Sequence, residues 1–430
     1  MSEHHNKLPE PLAELAWREL LSQRTDGLAD AFRAGPVTAY CGFDPTADSL
    51  HVGNLVPIMG LVHLQRAGHR PIALVGGGTG MIGDPSGRSS ERTLLDIPTI
   101  EANVRGIHAQ LEKFLNFEGP NAATMANNVD WLGKLSLLEF LRDTGKHFTV
   151  NYMLAKDSVK ARMEDGISFT ELSYMLLQAH DFLELHKREG VTLQIGGSDQ
   201  WGNITAGMEL IRRSIGGSAH AMTLPLVTNA SGAKFGKSEG GAIWLDAKRT
   251  SPYKFYQYWI GSDDRDVSKY LRYFTLLSME EVMALDIAVR ERPEKREAQR
   301  ALANDVTTRV HGADAARVAA EVSMLLFGKG DAAGLSEAAL SALREEIPYI
   351  THVENAENGN ALDVLDWVVA LGFAASRGAG KRLLSQGGLT VNGVKLSEAA
   401  AGVPRDALLR GKYALIKKGA RDYGLVEVPG

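Results

Sequence analysis

Cysteine is almost absent from the 430 residues: Cys41 stands alone, which excludes an internal disulfide and a thiolate metal cage and fits a reducing compartment. Its neighbours, Val37-Thr-Ala-Tyr-Cys-Gly-Phe43, form an apolar run, so Cys41 reads as a small packed residue or one that brushes a ligand, not as a nucleophile. Long apolar runs are missing too. None approaches the roughly 18 residues that a membrane span needs, and no apolar leader core follows the polar Met1-Ser-Glu-His-His-Asn6, so a cytoplasmic protein without membrane attachment is expected. No protein-bound metal is expected either. The net charge of −5 is small but unevenly spread: residues 376–430 hold ten Lys/Arg against four Asp/Glu, leaving −11 on the remainder. A basic end on an acidic body suggests a polyanionic partner, RNA or DNA, held by that end.

What is present is a chain of ordinary globular composition, 44% apolar and long enough for about two to four domains. Between 36 and 228, β-rich runs at 37–43, 71–75, 123–126, 191–195 and 221–226 alternate with helical stretches at about 54–67, 91–117, 136–144, 170–188 and 199–214. That alternation predicts a parallel, helix-covered sheet of right-handed crossovers, with ligands bound at the C-terminal ends of its strands. Three glycine-rich turns, Gly76-Gly-Gly-Thr-Gly80, Gly83-Asp-Pro-Ser-Gly87 and Gly196-Gly-Ser-Asp199, lie just past such strands, where the backbone turns sharply or approaches a ligand. From 251 to about 326 the pattern is helical; 328–334 and 355–360 read as loops or linkers, and helix and short-strand signals return after them. The fold class expected is α/β: a Rossmann-like parallel sheet over 1–230 with an inserted connective segment at about 130–190, a loop at 231–245, an α-helical domain over 246–330, a linker at 331–360 and a small α+β domain over 361–430.

Two distant segments carry phosphate-binding chemistry. His51-Val-Gly-Asn54 follows the first apolar strand and opens a helix, where backbone N–H groups and the helix dipole favour anions. Lys234-Phe-Gly-Lys-Ser238 offers two ammonium groups and a hydroxyl. Alone, the first could be a structural histidine and the second a solvated loop; in this order and separation they point to ATP. The stretch 170–188 is apolar almost all round, so its polar residues Tyr174, Gln178 and Asp181, spaced i, i+4 and i+7, need partners. Either they form an internal hydrogen-bond network or they line the pocket of a small polar ligand. Asp199, between a strand end and a helix start, could accept from ribose hydroxyls or cap the helix.

These residues, with Tyr40-Cys-Gly-Phe-Asp-Pro-Thr46 and Gly196-Gly-Ser-Asp-Gln-Trp-Gly202, resemble the class I aminoacyl-tRNA synthetases of the bacterial tyrosyl type over nearly the whole chain. The resemblance implies activation of L-tyrosine by ATP, which carries Mg2+, to tyrosyl-adenylate and pyrophosphate, followed by transfer to the 3′ end of tRNA(Tyr). It implies that Tyr40 and Asp181 bind the phenolic hydroxyl, that Asp84, Tyr174 and Gln178 hold the ammonium group, and that Gln200 supports the reacting carboxylate. Thr46, His51 and Asn54 would contact ATP, Gly42, Asp44, Gly53 and Gly197 would line the nucleotide site, and Asp199 would bind ribose. Lys234, Lys237 and Ser238, with mobile cations at Arg88 and Arg92, would hold the departing pyrophosphate. Asn54 stands where the family often has a second histidine, and Phe235-Gly236 where it often has Met-Ser; both variants are familiar in tyrosine enzymes. Residues 363–394 resemble an S-four-like RNA-binding domain, with Arg377, Lys381 and Arg382 on one helix face for tRNA phosphates. The resemblance further implies anticodon recognition by 246–330 and a homodimer with tRNA crossing between subunits. The nearest alternative is a tryptophan enzyme of the same fold, whose indole suits Tyr40 and Asp181 poorly. An RNA-binding scaffold with an inactive synthetase body should have lost His51, Asp199 or Lys237, and all three are present.

Overall fold

Runs rich in β-branched and apolar residues, with one short polar edge strand, form a central sheet. They are β1 (Gln23–Arg24), β2 (Thr38–Phe43), β3 (Arg70–Val75), β4 (Thr124–Asn127), β5 (Leu193–Gly197) and β6 (His220–Leu224), in the order β1-β6-β5-β2-β3-β4. In this computed structural model, which describes residues 8–86, 94–160, 163, 166–230, 235–238, 241–327, 330–352, 361–396 and 402–429, β2 to β6 are all parallel. The five expected strands are found within three residues of their sequence positions. The antiparallel β1 is an addition: two polar residues, exposed on the edge, carry no alternation to detect. Winding reverses between β2 and β5, so a crevice opens beyond their C-terminal ends.

The covering helices start and stop where local chemistry dictates. Helix Ile97–Leu111 begins later than periodicity suggested because Asp96 accepts from the Thr99 N–H at 2.9 Å and Pro98 occupies the first turn. Helix Phe169–Glu189 is capped by Ser168, which accepts from the Glu171 N–H at 3.2 Å, and ends at Gly190 with φ +65°. The helix expected at 136–144 is only Leu137–Glu139, followed by a wide π-type turn at Phe140–Thr144.

Two compact units emerge, Met1–Thr250 with Tyr258–Val310, and Ser251–Gln257 with His311–Gly430. Within the first, Arg18 is 1% exposed and donates to three carbonyls: Arg272 at 3.1 Å, Thr275 at 2.9 Å and Leu277 at 2.6 Å. It thereby satisfies the C-terminal end of helix Asp264–Phe274 from the N-terminal segment, while Glu14 balances its charge at 2.7 Å.

In the second unit, β9 (Tyr349–Thr351), β11 (Leu389–Val391), β12 (Val394–Lys395), β14 (Tyr413–Lys418) and β15 (Asp422–Glu427) form a sheet ordered β12-β11-β14-β15-β9, beside a β10 (Ala361–Asp363) and β13 (Gly402–Pro404) pair. One apolar cluster includes Trp367, Leu389 and Ile416, and another includes Leu340, Leu343, Leu415 and Leu425. The expected linker at 331–360 therefore needs correction. It contains helix Glu337–Leu343, with Ala339, Leu340 and Leu343 fully buried, and β9, which pairs in parallel with β15 about 75 residues on. Elements this short show no readable period, and their partners lie far along the chain.

Replacing Arg18 with methionine should destabilise the first unit by about 3 kcal/mol, because it leaves buried carbonyls and the Glu14 charge unpaired. Arg33→Met, which breaks an exposed pair with Asp30, should change stability by less than about 1 kcal/mol. Thermal and denaturant midpoints of the two variants check the contrast.

Candidate active site

At the floor of the crevice lies a carboxylate that the sheet and two helices enclose. Asp181, 2% exposed on helix Phe169–Glu189, accepts from Asn128 Nδ2 at 2.9 Å and from Trp131 Nε1 at 2.7 Å. Burial pushes its carboxyl up to about 7, although both hydrogen bonds pull the other way. Asn128 is fixed in turn, its Oδ1 accepting from the Gly78 N–H at 2.7 Å and its Nδ2 also donating to Thr79 Oγ1 at 2.9 Å. Tyr40 enters from β2, paired in register with Gln194 of β5. Its phenol is held far above its ordinary range, first by burial and then by the Asp181 charge, so it is a neutral donor. Tyr40 Oη, Gln178 Oε1 and Gln194 Oε1 are buried and find no hydrogen-bond partner among the described residues.

A second polar group lies one and two helical turns towards the N-terminus. Tyr174 Oη donates to Asp44 Oδ2 at 2.8 Å, and Thr79 Oγ1 donates to Asp44 Oδ1 at 2.8 Å, which ties the helix to the end of β2. Gly76 is required here, because a Cβ would fall on Asp44 Oδ1. Asp84 accepts from the Ser86 N–H at 2.9 Å and from Gln200 Nε2 at 2.6 Å; Gln200 also reaches Asp199 at 3.4 Å. Burial, then the Asp84 charge, raises the Asp199 carboxyl, against the Gln200 bond.

The two phosphate-binding signatures, far apart in sequence, are joined through the backbone. The Val52 N–H donates to the Ile243 carbonyl at 3.0 Å, the Leu245 N–H to Leu50 at 2.8 Å, and the Ile243 N–H to Gly236 at 2.9 Å. The first signature opens a short 3-10 turn, Val52–Asn54, leading into helix Leu55–Arg66. His51 Nδ1 accepts from the Gly53 N–H at 3.0 Å, so the neutral ring carries its proton on Nε2. Asn54 Oδ1 accepts from the His51 N–H at 3.0 Å, leaving its amide NH2 as the group it can offer a ligand. The helix start supplies the anion-favouring end of a dipole beside them.

Tyr40, Gly42, Asp44, Thr46, His51, Asn54, Asp84, Tyr174, Gln178, Asp181, Gly197 and Gln200 line one cavity; Gly53 and Asp199 adjoin it through the bonds just given. Lys234, Arg88 and Arg92 lie outside the described residues, as do the side chains of Lys237 and Ser238, whose backbone forms β7 (Lys237–Ser238) against β8 (Gly241–Ala242). The described lining carries Asp44, Asp84 and Asp181 and no Lys or Arg. Sequence reasoning missed Asn128, Trp131, Thr79 and Gln194. Asn128 follows directly on β4, and its place past a strand's C-terminal end was the available signal. Among the described residues no three His, Cys, Asp or Glu converge as a metal cage, and no helix is long and apolar enough to cross a membrane. In the second unit Arg377 is paired with Asp366 and, at 2.6 Å, with Asp363, whereas Lys381 and Arg382 project from the same helix without a carboxylate partner among the described residues.

Residues 33–328 match the family described as tRNA synthetases class I (W and Y), and residues 340–426 match the tyrosine–tRNA ligase SYY-like C-terminal domain. Similar relatives include the tyrosine–tRNA ligases of Anaeromyxobacter dehalogenans strain 2CP-1, 55% identical over 97% of this chain and 99% of the relative, and of Bacillus caldotenax, 52% identical over 96% and 99%. Among solved structures, a C-terminally truncated mitochondrial tyrosyl-tRNA synthetase of Aspergillus nidulans superposes with a TM-score of 0.67 at 33% identity, covering 74% of this chain and 94% of that one. A tryptophan-bound tryptophanyl-tRNA synthetase of Encephalitozoon cuniculi shares the fold, with a TM-score of 0.51 at 14% identity over 71% and 86%. With the family's profile across two thirds of its length and near-complete alignment to bacterial relatives, the chain belongs to the class I tRNA synthetases, in the branch of bacterial tyrosine–tRNA ligases.

Proposed function

We propose that this chain ligates L-tyrosine to tRNA(Tyr) and that its floor residues read the phenolic hydroxyl. The observation that carries the assignment is the set of buried polar atoms without hydrogen-bond partners among the described residues, Tyr40 Oη, Gln178 Oε1 and Gln194 Oε1, beside the enclosed Asp181 carboxylate. A phenol would answer two of these groups: it donates to Asp181 and accepts from Tyr40. The acidic surroundings, Asp44 and Asp84 with Tyr174 and Gln178, suit an ammonium group, and Gln200 stands ready to support the carboxylate.

An acidic pocket is unsuited to a triphosphate by itself, so the cations must come from elsewhere. We assign them to Lys234 and Lys237, assisted by Ser238, Arg88 and Arg92 and by Mg2+ that enters with ATP. His51 Nε2–H, the Asn54 amide and Thr46 would bind the phosphates, with Gly42, Gly53 and Gly197 allowing close approach and Asp199 taking the ribose. No base is needed, because tyrosine's carboxylate is already ionised; it attacks the α-phosphorus in line, and catalysis rests on positioning and charge. Lys381 and Arg382 would meet tRNA phosphates, with Arg377 joining only if it exchanges its carboxylates, and residues 246–330 would address the anticodon region. We also assign a cytoplasmic homodimer. Leu137, Leu138, Leu141, Val150 and Phe169 are between 45% and 78% exposed, a concentration of large apolar groups in the connective segment that a second copy would cover.

Tyrosine-dependent exchange of labelled pyrophosphate into ATP tests the assignment, with phenylalanine and tryptophan as controls. Exchange is expected with tyrosine and should be lost in Asp181→Ala; exchange driven by tryptophan, or none at all, contradicts it. Sites that bond a substrate hydroxyl reject the analogue lacking it by about 10⁴–10⁵-fold, a figure drawn from tyrosyl-tRNA synthetases themselves and not deduced from this geometry.

Protonation of Asp181 turns an acceptor into a competing donor, so tyrosine affinity should fall as pH drops from 8 to 6 through the carboxyl's value of about 7, by up to about tenfold. Calorimetric titration at several pH values checks this; a flat profile argues against a titrating floor. In sedimentation, the parent should run as a dimer and Leu138→Glu should shift it towards monomer.

A further inference from the structure

The N-terminal flank of the second signature rests on helix Asp264–Phe274, and its Phe235-Gly236 pair on that helix and on Tyr258. Before it, the Ala230 N–H donates to Asp266 Oδ2 at 2.8 Å, and Lys269 Nζ donates to the Thr228 carbonyl at 2.7 Å. Within it, the Phe235 ring stacks on Phe274 at 5.4 Å and 4°, and packs against Tyr270 at 5.3 Å, Tyr258 at 6.0 Å and Trp259 at 6.1 Å. The Gly236 N–H donates to Tyr258 Oη at 3.0 Å. Gly236 also has φ +76°, and a Cβ there would lie 2.8 Å from Val52 Cγ2 of the first signature, so the backbone is pressed against His51-Val-Gly-Asn54. Asp266, Lys269, Tyr270 and Phe274 all belong to helix Asp264–Phe274, whose C-terminal end Arg18 satisfies.

None of these side chains lines the cavity, and an aromatic cluster alone would be only core. Phe235-Gly236, however, is joined to this seat by an inserted ring and the Gly236 N–H, with the Ala230 N–H bonded to the same helix ahead of it, and so has its position set by that seat. We propose that helix Asp264–Phe274 and Tyr258 fix the second signature in register with the first, making Tyr258 and Asp266 positioning residues for the activation step. This rests on the assignment of Lys234 and Lys237 to the leaving phosphates. A looser seat leaves tyrosine binding intact, because Asp181, Tyr40 and Tyr174 are held by other elements, and slows the step in which charge develops on the departing phosphates.

The test is single-turnover formation of tyrosyl-adenylate by the full-length protein, with the tyrosine dissociation constant measured alongside. Tyr258→Phe keeps the ring and removes the acceptor of the Gly236 N–H; Asp266→Ala removes the acceptor of Ala230, and Asp266→Asn restores one. Adenylate formation at saturating tyrosine should fall about tenfold in Tyr258→Phe and in Asp266→Ala, with substantial recovery in Asp266→Asn and tyrosine affinity unchanged within about twofold. An unaltered rate in Tyr258→Phe, or tyrosine affinity falling in parallel with the rate, overturns the proposal; if Asp266→Ala does not fold, Tyr258→Phe decides alone. Absence of pyrophosphate exchange in the parent protein would instead sink the functional assignment, and the proposal with it.

Discussion

The enclosure of one carboxylate organises the catalytic unit. A charge as buried as that of Asp181 costs several kcal/mol unless donors surround it, and here the donors come from beyond β4, held by backbone from the glycine-rich turn after β3. Asn128 can donate to Asp181 only because its own oxygen is occupied by the Gly78 N–H. The same turn presents Thr79 to Asp44, and Asp44 receives Tyr174 from the helix that carries Asp181. A closed circuit of polar bonds therefore runs from β4 through the turn to β2 and back along helix Phe169–Glu189, with the substrate cavity inside it. Such a circuit is satisfied in one arrangement only, which is how a small pocket keeps a fixed shape.

Division of charge is the second constraint. The circuit is acidic, which suits an ammonium and a phenol better than a polyphosphate; under the proposed function the anion-binding groups approach from the opposite wall. Backbone pairing of Val52, Leu50, Ile243, Leu245 and Gly236 brings that wall together from segments nearly 200 residues apart. The winding reversal between β2 and β5 makes the geometry possible, since it leaves an open crevice where both walls can face one ligand.

How much of this was legible follows from the range of each signal. The interior parallel strands are near-continuous apolar runs and were readable, as was the half-buried edge strand β4; β1 and β9, two and three residues long, were not. The stripe Tyr174, Gln178, Asp181 was readable because helical periodicity is local and the polar residues interrupt an apolar surface. Whether that stripe faced a network or a ligand was not readable from spacing; in the structure Asp181 and Tyr174 are bonded within the protein, while Gln178 Oε1 is buried without a hydrogen-bond partner among the described residues. Asn128 and Trp131 escaped notice because a residue that positions another side chain carries no pattern of its own, and Gln194 because it is a single polar residue inside an apolar strand. Arg377 shows the reverse: its place on a basic helix face suggested an RNA contact, and only its two carboxylates reveal a structural duty.

The central claim is that a carboxylate held in place by Asn128 and Trp131 distinguishes tyrosine from phenylalanine. Equilibrium binding of both amino acids to Trp131→Phe, compared with the parent protein, tests it most directly, because that change removes a donor to Asp181 and leaves Tyr40 and Asp181 themselves in place. The account predicts weaker tyrosine binding with phenylalanine binding little altered, so that the preference shrinks by about tenfold or more. An undiminished preference would contradict it and move hydroxyl recognition away from Asp181.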